Sequence, residues 1–234
     1  MRLHRFIGDF DFSASRLEIR DVAVVRQIRV VLRLKRGDSI VLSDGHLNEA
    51  ETRIESVSPR AIEVFIERTF MNGCEPATAV ILYCAMLKRE NFEWVVEKAT
   101  ELGVREIVPV LTARTVKTGF RAERLEKIAR EAAEQSGRGV VPAIRSPLAF
   151  ERAMREAPAN NVNLFCDIGR GAFPALKSAK RIGIFIGPEG GWTEEEAEAA
   201  RAAHLAVVSL GKTTLRAETA AIVAVARAVA ALTA

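Results

Sequence analysis

The sequence is poor in the residues that build disulfides and metal centres. It holds 3 cysteines and 3 histidines among 234 residues. Cys74, Cys84 and Cys166 lie far apart, are odd in number and form no C-x-x-C pair, so reduced thiols are expected rather than a disulfide framework. His4, His46 and His204 are scattered and do not make a ligand set, which leaves a zinc site or a histidine nucleophile without support. No apolar run reaches the roughly 20 residues that span a bilayer. The Ala-rich stretch 217–234 comes closest, but Glu218 and Arg227 interrupt it. Met1-Arg2-Leu3-His4-Arg5 leads into no signal-peptide core. Internal repeats and low-complexity linkers are also lacking. A cytoplasmic protein without membrane contact and without a metal is the expectation.

What is present is ordinary in amount and informative in arrangement. Apolar residues make up 49% and charged residues 27%, as in a soluble globular protein long enough for one large or two small domains. The net charge is +4 and the pI about 9.2. Arg26, Arg29, Arg33, Lys35 and Arg36 follow one another with no acidic residue between them, and Arg2, His4 and Arg5 add a basic start. Such a run is either a solvated strand face or a phosphate-binding stripe.

Two halves differ in pattern. Up to residue 70 the chain reads as β: an apolar, Arg-interleaved stretch at 30–34, a strand at 39–42, and period-2 alternation at 48–57 and 61–66. Short strands with close turn signals predict a small barrel, and residues 71–76 read as a linker. From residue 78 strands and helices alternate. Strands are expected at 80–86, 104–110, 162–166, 182–186 and 205–210, and helices at 90–102, 121–136, 193–203 and 217–232. Gly103 is placed as the residue after a helix end, and Thr193 with Glu196 fits a capping box. The alternation predicts a mainly parallel sheet with helices on both faces.

Two strand-to-helix turns carry the chemistry. One is Gly187-Pro188-Glu189-Gly190-Gly191, ahead of Trp192 and Thr193. The other is Leu210-Gly211-Lys212-Thr213-Thr214-Leu215-Arg216-Ala217-Glu218-Thr219-Ala220. Neighbouring turns of this kind at the carboxyl ends of strands make a pocket of backbone N–H groups suited to a nucleotide-like ligand. The glycines let backbone approach closely, although an ordinary turn-rich connection is the plainer reading of either piece alone. Residues 206–213 mimic a P-loop at Gly211-Lys212-Thr213, but the stretch before them is a β-branched strand and not a glycine-rich wrap. Glu218 at a helix start suits the helix dipole, whereas Arg216 opposes it, and that local conflict hints at a function. Gln135 and Arg138 sit beside Gly137 at the end of a long helix. Lys88-Arg89 follows the first strand of the second half, as a phosphate contact or as plain surface.

Together these segments resemble the ribosomal RNA small subunit methyltransferase E family of the SPOUT class. The matching pieces are Val31-Leu32-Arg33-Leu34-Lys35-Arg36-Gly37-Asp38, Lys88, Glu97-Lys98-Ala99-Thr100-Glu101-Leu102-Gly103-Val104, Glu131-Ala132-Ala133-Glu134-Gln135-Ser136-Gly137-Arg138, Ile186 through Gly191, and Leu210-Gly211 with Leu215 through Ala220. They run nearly the whole length. Lys212-Thr213-Thr214 replaces a stretch usually more basic and aliphatic, Trp192 stands where Phe is common, and Gln27 where a His is often seen.

The resemblance implies an α/β protein with a small N-terminal PUA-like β-barrel over 1–72, holding RNA. Over 73–234 it implies a SPOUT domain with a parallel sheet and a deep trefoil knot. It also implies a homodimer that uses S-adenosyl-L-methionine to methylate N3 of a uridine in 16S rRNA of the small ribosomal subunit. Phe165, Cys166, Gly187, Pro188, Glu189, Gly190, Leu210, Gly211, Leu215, Arg216 and Ala220 are then expected at the cofactor. Arg26, Arg29, Arg33, Lys35, Arg36 and Lys88 are expected at the RNA. Uracil N3 carries a proton that must leave. Arg138 and Arg216 are candidates for a cation that stabilises the developing anion, and Glu189 and Glu218 for carboxylates that take the proton or orient an arginine. The competing readings are a SPOUT enzyme acting on tRNA or another rRNA position, and a non-catalytic RNA-binding protein that keeps the fold.

Overall fold

The computed structural model describes residues 3–116, 119–169 and 171–233; Arg2 of the basic start lies outside them. The chain divides into two compact units, Met1–Glu75 with Ala133–Val140, and Pro76–Ala132 with Val141–Ala234.

In the first unit β1 (His4–Ile7), β2 (Arg16–Ile19), β3 (Ser39–Ser43), β4 (Asn48–Val57) and β5 (Ile62–Met71) form one sheet in the order β1-β3-β4-β5-β2. β1 runs parallel to β3 and the other neighbours are antiparallel. β1 and β2 are the two ends of that order, so the ladder stays open. Phe6, Ile19, Ile28, Ile40, Leu42, Ile54, Ile62 and Val64 form its core.

The basic stretch corrects the sequence reading. Its first part is helical, with α1 (Val22–Arg26) running into a π-helical turn over Gln27–Val31, and Arg33, Lys35 and Arg36 follow outside helix and strand. The overlooked signal is Asp21, whose carboxylate accepts from Val24 N at 2.9 Å and caps the helix start. Val24, Val25 and Ile28 then point inward at helical spacing, while Val30 and Val31 stay exposed. Burial of that three-residue stripe outweighed the local β-branched composition.

The second unit follows the predicted alternation. β6 (Ala79–Ala85), α2 (Arg89–Glu101), β7 (Glu106–Leu111) and α3 (Ala122–Ser136) come first. Three short elements unseen in the sequence follow, the strands β8 (Ala143–Ile144) and β9 (Leu148–Ala149) and the helix α4 (Phe150–Glu156). Then come β10 (Val162–Cys166), β11 (Arg181–Ile186), α5 (Glu194–Ala202), β12 (Ala206–Val208) and α6 (Ala217–Thr233). All strand pairs are parallel, in the order β12-β10-β11-β6-β7-β8 with β9 also on β7.

Period-2 alternation splits the core into two layers. Val80, Leu82, Cys84, Leu164, Ile182, Ile184 and Ile186 face α2, α3 and α6, whereas Ile81, Tyr83, Val108, Phe165 and Phe185 face α4 and α5. Gly103 takes φ +92 just past the end of α2, and the Thr193–Glu196 capping box is formed. The small residues Ala217, Ala221, Ala224 and Ala228 of α6 are buried in the first of these layers, against α2, β6 and β11.

Residues 71–76 are not a free linker. Asn72 is 8% exposed and donates to Glu49 Oε1 at 2.8 Å and to Gly137 O at 3.0 Å. Glu75 receives Arg138 Nε and Nη2 at 3.1 and 2.7 Å, plus the amides of Gly139 and Val140. Glu134 Oε1 accepts from Ile7 N at 2.8 Å. These bonds explain why the end of α3 belongs to the first unit.

Candidate active site

Because every strand of the second sheet points the same way, the carboxyl ends of β6, β10, β11 and β12 share one edge. A cavity of about 700 Å³ opens there, within the size range of small-molecule sites. Its walls are Lys88 after β6, Cys166–Ile168 after β10, Ile186–Trp192 after β11 and Ser209–Glu218 after β12, with Arg114 and Val116 at the side.

The Gly187–Trp192 loop is built for close approach. A Cβ on Gly187 would sit 3.0 Å from the Trp192 ring, and Gly191 takes φ +70, a left-handed conformation that favours glycine. Trp192 anchors the loop. Its indole stacks on Phe165 at 4.5 Å between centroids, packs on Phe150 at 5.4 Å, and donates from Nε1 to Cys166 O at 3.0 Å. Glu189 Oε1 accepts from Lys88 N at 3.5 Å.

The second loop is more open. Gly211, Lys212, Thr213, Thr214 and Arg216 are exposed. Ser209 Oγ donates to Gly211 O at 3.0 Å, Ser209 N to Gly171 O at 3.2 Å, and Arg227 Nη1 to Ser209 O at 3.2 Å. The Arg227 guanidinium also lies 4.1 Å above the Phe173 ring. Arg216 caps α6 through its carbonyl, which accepts Ala220 N at 2.8 Å. Glu218, in the first turn of α6, is 6% exposed, and its Oε2 has no hydrogen-bond partner among the described residues. A buried carboxylate oxygen without a donor is costly, and Glu218 is among the residues that line the cavity.

Burial, reinforced by the Glu189 and Glu218 carboxylates, pushes the Cys84 thiol well above its usual range. Burial pushes the Cys166 thiol up to about 12. Neither is a thiolate near neutral pH, so neither serves as a nucleophile.

The expected cofactor residues Cys166, Gly187, Pro188, Glu189, Gly190, Leu210, Gly211, Leu215, Arg216 and Ala220 all line this cavity, and so do Glu218 and Lys88. Phe165 does not: it is 0% exposed and supports the wall from behind, under Trp192. Arg138 does not line it either. It is 4% exposed and belongs to the first unit, in a bidentate pair with Glu75. Arg26, Arg29, Arg33, Lys35 and Arg36 are exposed in the first unit. Sequence reasoning missed Arg114 and the anchoring role of Trp192. Arg114 carries no local signal, because its partners Gly190 and Trp192 lie 76 and 78 residues away.

Among the described residues, no helix is long and apolar enough to cross a membrane, and no cluster of three or more His, Cys, Asp or Glu is placed to hold a metal ion. Residues 74–229 match the family model of the RNA methyltransferase domain. A ribosomal RNA small subunit methyltransferase E of Synechocystis sp. is 33% identical over 88% of this chain and 70% of its own length. The Bacillus subtilis protein of that name is 31% identical over 84% of this chain and 83% of its own. A solved ribosomal RNA small subunit methyltransferase E from Neisseria gonorrhoeae, bound to S-adenosyl methionine, superposes with a TM-score of 0.90 at 29% identity, covering 97% of this chain and 96% of that one. A methyltransferase from Legionella pneumophila in complex with the same cofactor also reaches a TM-score of 0.90, at 28% identity over 99% of this chain and 98% of its own. A glycine-lined cavity at the carboxyl edge of a parallel sheet, within a matched RNA methyltransferase domain and beside relatives alike over most of their length, places this chain in the ribosomal RNA small subunit methyltransferase E family.

Proposed function

We propose that the chain is a cytoplasmic S-adenosyl-L-methionine-dependent methyltransferase that modifies N3 of a uridine in 16S rRNA of the small ribosomal subunit. The observation that carries the reading is the cavity itself, with Glu218, whose Oε2 is buried and unpartnered among the described residues, as one of the residues of its wall. The cavity fits the cofactor: glycine backbone at Gly187 and Gly190 for close approach, apolar walls from Ile186, Leu210, Leu215 and Ala220, and a carboxylate free to accept a hydrogen bond or face a positive charge. When bound, the cofactor supplies a methyl group already activated on a sulfonium.

The residues then have to align the uracil, exclude water and dispose of the N3 proton. Arg216, exposed at the cavity with no side-chain partner among the described residues, is the cation placed for the developing uracil anion. Glu218 and Glu189 are the carboxylates within the same walls. Arg138, buried against Glu75, is assigned to holding the end of α3.

We assign the first unit, the 1–72 segment above all, to RNA binding as a PUA-like domain, and the second unit, within residues 73–234, to the SPOUT domain. The exposed run from Arg26 to Arg36 supports the first assignment. For the trefoil knot, the support is the path of the chain. β12 lies at one edge of the sheet, yet α6 packs on α2, β6 and β11, so residues 209–216 must cross back over the strand ends. A homodimer is part of the proposal; the half-buried Ile222, Val223, Ala226 and Val229 of α6 offer it apolar surface. Mass spectrometry of 16S rRNA nucleosides tests the whole reading. Loss of 3-methyluridine on deleting the gene, restored by the wild-type copy, is expected. An unchanged nucleoside profile refutes it, and loss of another methylated nucleoside moves the substrate to another position.

A further inference from the structure

The Gly187–Trp192 loop has few bonds of its own; Gly191 N donates to Pro188 O at 2.9 Å. Besides the Trp192 anchor and the Glu189 contact with Lys88 N, it is braced from outside by the turn after β7. That turn is self-braced: Thr112 N and Thr112 Oγ1 meet Thr115 Oγ1 at 2.9 and 2.8 Å, and Thr115 N meets Thr112 O at 3.1 Å. From it, Ala113 N donates to Glu196 Oε1 at 2.9 Å. Arg114 Nη1 donates to both Gly190 O at 2.7 Å and Trp192 O at 3.1 Å.

A planar trans peptide points its C=O and N–H in opposite directions. The peptide after Gly190 is therefore held at both ends, its oxygen by Arg114 and its N–H by Pro188 O. The peptide after Trp192 is held likewise, its oxygen by Arg114 and the Thr193 N–H by Glu196 Oε2 at 2.9 Å. One guanidinium nitrogen thus orients two peptide planes of the loop that forms the cavity wall.

We infer that Arg114 is a positioning residue for methyl transfer: it holds the loop between β11 and α5 in the shape that receives the methyl donor. This rests on the cofactor assignment above. A cation bonded to two carbonyls is a charge-assisted clamp, stronger than a pair of neutral bonds. Lysine keeps the charge but presents a compact ammonium on a shorter reach, so it restores the clamp only in part.

The test uses the full-length protein carrying Trp94→Phe, which leaves Trp192 as the single tryptophan, since the chain has 2. Arg114→Ala and Arg114→Lys are compared in that background by three readouts: Trp192 emission and acrylamide quenching without ligand, calorimetric affinity for S-adenosylmethionine, and thermal melting. Arg114→Ala is expected to raise Trp192 quenching at least twofold and to weaken cofactor affinity at least tenfold while melting stays cooperative, with Arg114→Lys in between. Quenching and affinity within twofold of the parent in both variants overturn the inference and leave Arg114 a surface contact. If Arg114→Ala does not fold, the same readouts on Arg114→Lys decide. If the parent itself binds no cofactor, the proposed function fails, and the ligand-free quenching still decides whether Arg114 shapes the loop.

Discussion

The end of α3 and the start of α6 use similar residues to opposite ends. Each brings together glycine, arginine and glutamate at a helix terminus. At the end of α3 the charges are paired: Arg138 is 4% exposed and bidentate to the half-buried Glu75, which also caps two amides. At the start of α6 the charges are separate. Arg216 is exposed, and Glu218 is buried with one oxygen unpartnered. A satisfied buried ion holds structure, whereas a buried ion left unsatisfied costs stability and persists where a ligand completes it. The contrast divides the two candidate arginines between architecture and chemistry.

The sharpest way to break the comparison is to remove each arginine in turn. Arg138→Ala leaves the half-buried Glu75 without its ion-pair partner, though still bonded to the Gly139 and Val140 amides, and is expected to cost about 1–3 kcal/mol of stability, read by chemical denaturation, while the folded fraction keeps its turnover. Arg216→Ala is expected to leave stability nearly unchanged. It should lower kcat and kcat/KM together by about 10²–10³ in single-turnover methylation, with Arg216→Lys restoring part of the loss. Exchange of these two phenotypes would reverse the assignment.

Smaller effects sharpen the picture of the cavity. A Cβ at Gly190 meets only ordinary contact, Arg114 Cδ at 3.4 Å, so Gly190→Val should fold. Its larger side chain lies against the Arg114 stem at the side of the cavity, and calorimetry should show cofactor affinity reduced about 100-fold, or 2.7 kcal/mol. Glu218→Gln keeps the shape and removes the buried charge. The melting temperature should hold or rise while affinity falls about tenfold; an unchanged affinity would make Glu218 a structural residue.

Reversing Arg26 and Arg33 together should weaken RNA binding and flatten its log–log salt dependence by about 0.7–0.9 for each phosphate no longer neutralised, with cofactor affinity unaltered. The mildest probe is thiol labelling. Cys74 is exposed, whereas Cys84 and Cys166 are buried with raised thiol pKa values. One thiol of the native protein should react quickly at pH 8, and all three should react after unfolding.

Local patterns made the second unit readable. The strands β6, β10 and β11 are apolar runs largely buried on both faces, and α2 and α3 carry clear 3.6-residue stripes. Thr193 with Glu196 and Gly103 mark helix ends by chemistry confined to a few residues. Most of the cavity wall was readable for the same reason, because glycine-rich turns that follow parallel strands must share one edge. The first unit was harder. There, burial of Val24, Val25 and Ile28 overrode a β-branched composition, and Asp21 was a cap too small to notice beside the arginines.

By itself, then, the sequence determined the alternation of strands and helices and the edge where the cavity forms, since these depend on periodicity and turn residues close together in the chain, and its motifs carried the family resemblance. Only the tertiary structure decided which charged groups are satisfied. Arg138 meets Glu75 across 63 residues, Arg114 meets the glycine loop across more than 70, and Phe165 turns inward beneath Trp192. Pairing of this kind depends on how distant segments are brought together, and no local pattern encodes it.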